Sequence, residues 1–277
     1  LRYVDIVRME KENKFDKLIS IQLESSTACN GRCSFCPRFD MSRAGGEMTD
    51  ELFHKIVNEA QEMGVEIITP FLNGEPFLFP RLFEWLDYLK ERNIKFTLYT
   101  NASVLTKEKA NKINTYDNCI DLIFSMHGYD KESYESQTRL SYDIVKSNID
   151  YFISIAKIPY QVYMLNTSVN EKGINTFLDT WKGNRTFIAK YTNWAGKKPS
   201  SMKGTKIPCD RILSEMTVYW DGRVNLCCMD SDAGVILGDL NIQSLKEIWE
   251  NNQWMRDKHK NYDFDLPLCR HCNKNII

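Results

Sequence analysis

Three cysteines in the run Cys29-Asn-Gly-Arg-Cys33-Ser-Phe-Cys36 carry the most specific chemical signal in the chain. The CxxxCxxC spacing puts three thiolates on one short loop, close enough to grip one metal cluster. Iron–sulfur clusters ordinarily take four protein thiolates, so a triad leaves one iron open to another ligand. Chemistry would happen at that iron. Buried structural cysteines, or three ligands of a zinc site completed from afar, are the plainer alternatives. A second group lies far downstream: Cys209, then Cys227 within Trp220-Asp-Gly-Arg-Val-Asn-Leu-Cys227, then Cys269-Arg-His-Cys272. Alternating residues flank Asp221-Gly222, which predicts a β-hairpin. These four thiolates can close a cage around zinc or around a second cluster, and spacing does not separate the two metals.

Such residues need a frame. Residues 18–23 form a short apolar run with β-branched members, followed by Ser25, Ser26 and Thr27, and read as a strand ending before the cysteine loop. Thr49 can cap a helix through Glu62, with Asp50 and Glu51 in its first turn. Strands are expected over 65–72, 95–100, 119–125, 161–165 and 184–191, and helices over 80–92, 106–113 and 142–155. Strands separated by single helices predict right-handed parallel crossovers. About six βα units follow, fewer than the eight of a closed barrel. The expected class is therefore α/β, a partial (βα)6 TIM-like barrel. After Gly196 the polar run Lys197-Lys198-Pro199-Ser200-Ser201 reads as a linker. The expected organisation is an N-terminal extension over 1–15, the barrel over 16–196, and a small cysteine-rich domain of β-hairpin and helix over 197–277.

Composition narrows the function. A formal net charge of −1 speaks against a nucleic-acid partner held through its phosphates. No apolar run has the length to span a membrane, and no signal-peptide core opens the chain. With 277 residues, 43% of them hydrophobic, the chain can build its own core. Its nine cysteines are clustered in a long chain, which fits a reducing cytoplasm better than a secreted disulfide protein. The chain opens on Leu1 rather than Met, so residues can precede it.

With these features in place, the chain resembles a radical S-adenosylmethionine (radical SAM) enzyme. In that family CxxxCxΦC, with Φ aromatic, holds a [4Fe-4S] cluster whose fourth iron S-adenosylmethionine chelates through its amino and carboxylate groups. Cys29, Cys33 and Cys36 match the ligands, and Phe35 matches the aromatic near the adenine. Asn73-Gly74-Glu75-Pro76 is similar to the family's GEP-type motif at the methionine amino group, with Asn73 where the first Gly is usual. A carboxylate and a turned backbone at a strand end suit an ammonium group. Asn101 closes the third expected strand and is a further cofactor-binding candidate. Ser125 and Arg139 resemble positions that contact the ribose and the methionine carboxylate, although Arg139 could instead pair with Glu132 or Glu135. The C-terminal pattern resembles the twitch form of the SPASM domain. That implies one auxiliary [4Fe-4S] cluster ligated by Cys209, Cys227, Cys269 and Cys272.

The resemblance implies a reaction. An external one-electron reductant, such as flavodoxin or ferredoxin, would feed the first cluster, and S-adenosylmethionine would yield a 5′-deoxyadenosyl radical that abstracts a substrate hydrogen atom. Cys228 neighbours a ligand and cannot easily share its direction, which makes it a candidate hydrogen-atom donor. Return of hydrogen from the opposite face would epimerise a carbohydrate-like small molecule, the first expectation. The alternatives are dehydrogenation of a secondary alcohol in a sugar or aminocyclitol, and maturation of a peptide (RiPP). Few residues precede the first strand, which disfavours the last. Cys119 is expected to be buried packing, His271 a spacer, and Trp194 a cover for the domain junction. His127 could face the pocket, and Asn166, Thr167 and Asn193 would suit a hydroxylated ligand.

Overall fold

Strand β1, Ser20–Leu23, buries Ile21 and Leu23 completely and runs on into the cysteine loop. The computed structural model describes residues 17–199, 204–274 and 276. The expected N-terminal extension over 1–15, and Ser200 and Ser201 of the expected linker, lie outside the described residues. After β1 the chain alternates: α1 Asp50–Glu62, β2 Ile67–Thr69, α2 Leu82–Glu91, β3 Lys95–Thr100, α3 Lys107–Ile113 and β4 Cys119–Ser125. Then come α4 Lys131–Thr138, α5 Tyr142–Ile155, β5 Tyr160–Asn166, α6 Ile174–Thr180 and β6 Thr186–Lys190. The pairs β1–β2, β3–β4, β4–β5 and β5–β6 are all parallel, the α/β arrangement that the alternation predicted.

Local sequence explains most of these elements. Thr49 accepts a hydrogen bond from Leu52 N at the start of α1, and Asp50 and Glu51 face the positive end of the helix dipole. Leu52, Phe53, Ile56, Val57 and Ala60 fall at three- and four-residue spacing and form its buried face. The second strand is shorter than expected. Pro70 follows Thr69 and has no N–H to give a ladder, so pairing stops there. Helices α4 and α6 have no counterpart in the sequence reading. In α4 the buried residues are Ser133, Tyr134, Gln137 and Thr138, so an apolar period is missing even though Asp130 and Ser133 form a reciprocal cap.

The described residues cluster into two compact units. One takes its residues from Leu1–Ser25, Asp40–Leu72 and Thr192–Ile277, the other from Ser26–Phe39 and Asn73–Tyr191. The first holds β1, α1 and β2 together with α7 Asp210–Ser214, β7 Glu215–Val218, β8 Arg223–Asn225 and β9 Ile236–Asp239. Helices α8 Leu245–Asn251 and α9 Gln253–Lys260 complete it. Here β7 lies parallel to β1, in register from Ser20 opposite Glu215 to Leu23 opposite Val218. The expected hairpin is present: β7 and β8 are antiparallel, and Gly222 turns between them at φ +90°. The second unit carries β3 to β6 with α2 to α6. No helix among the described residues is long and apolar enough to cross a membrane.

Candidate functional site

In the second unit, main-chain bonds pin the cysteine loop to the end of α4. Arg32 N donates to Thr138 O and Ser34 N to Gln137 O, both at 2.9 Å. One guanidinium nitrogen of Arg38 donates to Cys29 O (3.1 Å) and to Gly31 O (3.0 Å), which closes the loop on itself. Sequence reasoning missed Arg38, because an arginine beside a cysteine motif carries no signal of its own. The three cysteines form no disulfide and are partly buried. Burial raises the Cys29 thiol, and burial with the neighbouring Cys36 pushes Cys33 up to about 12. Loading iron therefore means releasing protons. Asn101 Nδ2 stands 3.9 Å from Cys29 Sγ and donates to Asn30 Oδ1 at 3.2 Å.

The 73–76 segment packs on the chain entering that loop. A Cβ on Gly74 would lie 2.2 Å from Ser26 O and 3.0 Å from Ala28 O, so only glycine fits. Next to it, Glu75 N donates to Ala28 O at 2.7 Å. The Glu75 side chain is 3% exposed. Its Oε1 accepts from Thr100 Oγ1 (2.7 Å) and Phe77 N (3.2 Å), and its Oε2 accepts from Asn101 N (2.8 Å). Burial pushes its carboxyl up to about 7 against the pull of those donors. Glu75 thus holds the end of β3 through its side chain and the chain entering the cysteine loop through its main-chain N–H, and Pro76 starts the short 3-10 helix Pro76–Leu78 that the side chain caps.

An aromatic row lies beside the loop. The Phe35 ring meets His127 edge-on at 4.8 Å, His127 meets Tyr163 at 4.8 Å, and Phe187 stacks on Tyr163 at 5.2 Å. Ser125 is hydrogen-bonded to Tyr163. His127 Nδ1 accepts from Leu165 N at 3.2 Å, which assigns the ring proton to Nε2, and burial pushes its pKa down to about 3. Its carbonyl accepts from Gln137 Nε2 and Asn170 Nδ2, and Thr167 Oγ1 donates to Gln137 Oε1 at 2.6 Å. Gln137 and Asn170 are buried, and no motif marks them. Arg139 ends α4 in a left-handed conformation, φ 60°. It is exposed, and among the described residues its guanidinium pairs with neither Glu132 nor Glu135. Asn166 ends β5.

In the first unit, Cys209, Cys227, Cys269 and Cys272 all line one cavity, with Arg211, Met229, His259, Leu268 and Lys274. Burial raises the Cys209 and Cys227 thiols and pushes Cys269 up to about 12. Lys206 Nζ donates to Cys269 O and Arg270 O and holds the CxxC turn. Among the described residues no three His, Cys, Asp or Glu side chains converge on a single ion. That is no bar to a four-iron cube, whose thiolates occupy separate corners. Four soft sulfur donors around one cavity fit such a group, and the triad in the other unit fits one with an open iron. Cys228 does not line the cavity. It is 4% exposed and accepts from the Arg211 guanidinium, which also faces Glu215 at 3.6 Å. His271 gives its carbonyl to Asn193 Nδ2 (2.6 Å), and Trp194 packs on the cluster of buried residues around these cysteines. Cys119 is 1% exposed.

Two family profiles match the chain over the spans that hold the two cysteine groups. Residues 23–179 match the profile described as the Radical SAM superfamily, and residues 209–273 match that of an iron–sulfur cluster-binding domain, SPASM. A tungsten-containing aldehyde ferredoxin oxidoreductase cofactor-modifying protein of Pyrococcus furiosus is 22% identical over 91% of this chain and 86% of its own. The antilisterial bacteriocin subtilosin biosynthesis protein AlbA of Bacillus subtilis is 27% identical over 45% of this chain, a match spanning only 28% of AlbA. Among solved structures, BtrN in complex with AdoMet and 2-DOIA shares the fold at TM-score 0.68 and 18% identity, over 94% of each chain. Streptococcus suis SuiB bound to precursor peptide SuiA does so at TM-score 0.76 and 15% identity, over 96% of this chain and 72% of that one.

Proposed function

Because the chain belongs to the radical SAM superfamily, we propose that it oxidises a secondary alcohol of a small hydroxylated molecule, of the sugar or aminocyclitol class. Bound at the two cysteine sites, iron–sulfur clusters and S-adenosylmethionine supply one-electron chemistry, a 5′-deoxyadenosyl radical, and a second place for an electron to reside. The chain's own residues do the rest. Gly74 lets the backbone approach the cysteine loop, so that main-chain carbonyls there can face an ammonium group while Glu75 holds the two segments together. The unpaired guanidinium of Arg139 suits a carboxylate, and the Phe35–His127–Tyr163 row offers an apolar wall that excludes water. An external one-electron donor in a cytoplasmic setting completes the reading.

One observation carries the choice of oxidation. The thiol next to the cluster ligands, Cys228, is buried with its sulfur accepting from the Arg211 guanidinium, so the side chain is held inside the protein rather than presented. The fold shared with BtrN over 94% of both chains, in a structure holding AdoMet and 2-DOIA, supports the same substrate class. Epimerisation stands second, because Cys228 lies outside the cysteine-lined cavity and so remains a thiol that no cluster needs. Incubating reconstituted protein with S-adenosylmethionine, reductant and a panel of aminocyclitols and sugars tests the proposal. Oxidation gives a product two daltons lighter. Uptake of solvent deuterium at carbon with otherwise unchanged mass means epimerisation, and turnover of peptides alone would overturn the substrate class.

A further inference from the structure

His259, the penultimate residue of α9, is fully buried and lines the cavity bounded by Cys209, Cys227, Cys269 and Cys272. Its two nitrogens are treated differently. Nδ1 accepts from Cys209 N at 3.2 Å, so it carries no proton and the ring proton sits on Nε2. That Nε2–H has no hydrogen-bond partner among the described residues. Phe264 holds the ring edge-to-face at 5.2 Å. A buried N–H without an acceptor costs about what a lost hydrogen bond costs, so such groups are almost always paired in the working protein. The cavity beside the ring is where the missing acceptor belongs.

We propose that His259, through Nε2–H, donates a hydrogen bond to a sulfur of the auxiliary cluster and thereby sets that cluster's reduction potential. The inference rests on the assignment of an iron–sulfur cluster to these four cysteines. It makes His259 a positioning and tuning residue, because its nitrogen binds no iron. The direction follows from charge. Reduction adds an electron to the cluster, the sulfurs become better acceptors, and a donor stabilises the reduced form more than the oxidised one. One side of the ring anchors the Cys209 backbone while the other reads the charge of the group that Cys209 holds.

The test uses the full chain with Cys29, Cys33 and Cys36 replaced by Ser, which leaves the auxiliary site as the one cluster to observe. This protein is reconstituted with iron and sulfide, its iron is counted, and its potential is read by EPR-monitored redox titration. With His259→Phe the reduced-to-oxidised ratio at a fixed potential should fall by about tenfold, a shift of ~59 mV for one electron. His259→Gln keeps an N–H and should lie between the two. In protein with native His259 and ¹⁵N-labelled histidine, ENDOR should show a weakly coupled nitrogen and an exchangeable proton near the reduced cluster. An unchanged potential at full iron content overturns the proposal. So does a strongly coupled, ligating nitrogen, or the lack of that proton, which decides the matter even if His259→Phe does not fold. Failure of the Ser variant to bind any iron overturns the cluster assignment itself, a different result from an untuned cluster.

Discussion

Replacing Glu75 by Gln should flatten the pH dependence of stability of the metal-free protein. Burial raises the Glu75 carboxyl from 4.5 to about 7 in the folded chain. Unfolded, the group regains its ordinary value, so between these pH values the folded state holds a proton that the unfolded state has lost. Stability is then fullest below about pH 4.5, falls as pH rises, and levels off above about pH 7. At 1.36 kcal/mol per unit the fall amounts to about 3 kcal/mol. A Gln side chain of nearly equal size carries no such proton and should remove most of that slope. Its amide would also confront one N–H donor, Phe77 N or Asn101 N, and lower stability at every pH by about 1–3 kcal/mol. Urea unfolding of apo wild type and Glu75→Gln at several pH values between 4.5 and 8, under reductant, reads both effects. Parallel pH profiles for the two proteins would refute the assignment of the slope to Glu75.

Four further outcomes follow from particular contacts. Arg43 grips Glu24 through two nitrogens, one at 2.5 Å, with side chains 4% and 0% exposed, and Arg43→Met should cost about 3–5 kcal/mol in urea unfolding by taking the guanidinium away from a buried carboxylate. Gly74→Ala drives a methyl onto Ser26 O and should abolish S-adenosylmethionine cleavage while auxiliary iron is retained. Arg139→Gly relieves a left-handed arginine and should not lower stability, yet weaken S-adenosylmethionine binding roughly 10- to 100-fold by calorimetry, the value of a charge-assisted hydrogen bond. Cys228→Ala should leave both 5′-deoxyadenosine formation and an oxidised product intact, whereas loss of product with continued 5′-deoxyadenosine would favour epimerisation.

The parts of this chain that could be read in advance are those where one residue type is forced by local physics. A thiolate triad at one spacing, a Thr cap ahead of an apolar three-and-four period, and an Asp-Gly turn between alternating residues each have few alternatives. Strand β3 and helix α5 fall within the bounds expected because burial alternates or repeats along them, and β4 does so as a largely apolar run. Helix α4 was invisible because its buried face is largely polar: Gln137 is satisfied by Asn170 and Thr167, distant in sequence, while Ser133 and Thr138 bond within the helix and its cap. The pairing of β7 with β1 joins residues nearly two hundred positions apart, and no local pattern announces it. The same holds for Glu75, whose motif was plain while its three donors were not, and for His259, which lies on a short charged helix without a motif.

The central claim is that Cys29, Cys33 and Cys36 hold a cluster with an iron left for S-adenosylmethionine. Anaerobically reconstituted protein, given S-adenosylmethionine and dithionite, should release 5′-deoxyadenosine and bind about eight irons per chain, as two four-iron clusters require. Cys33→Ala should end that release and retain about four irons. Continued cleavage by Cys33→Ala, or none by the wild type at full iron content, would contradict the account.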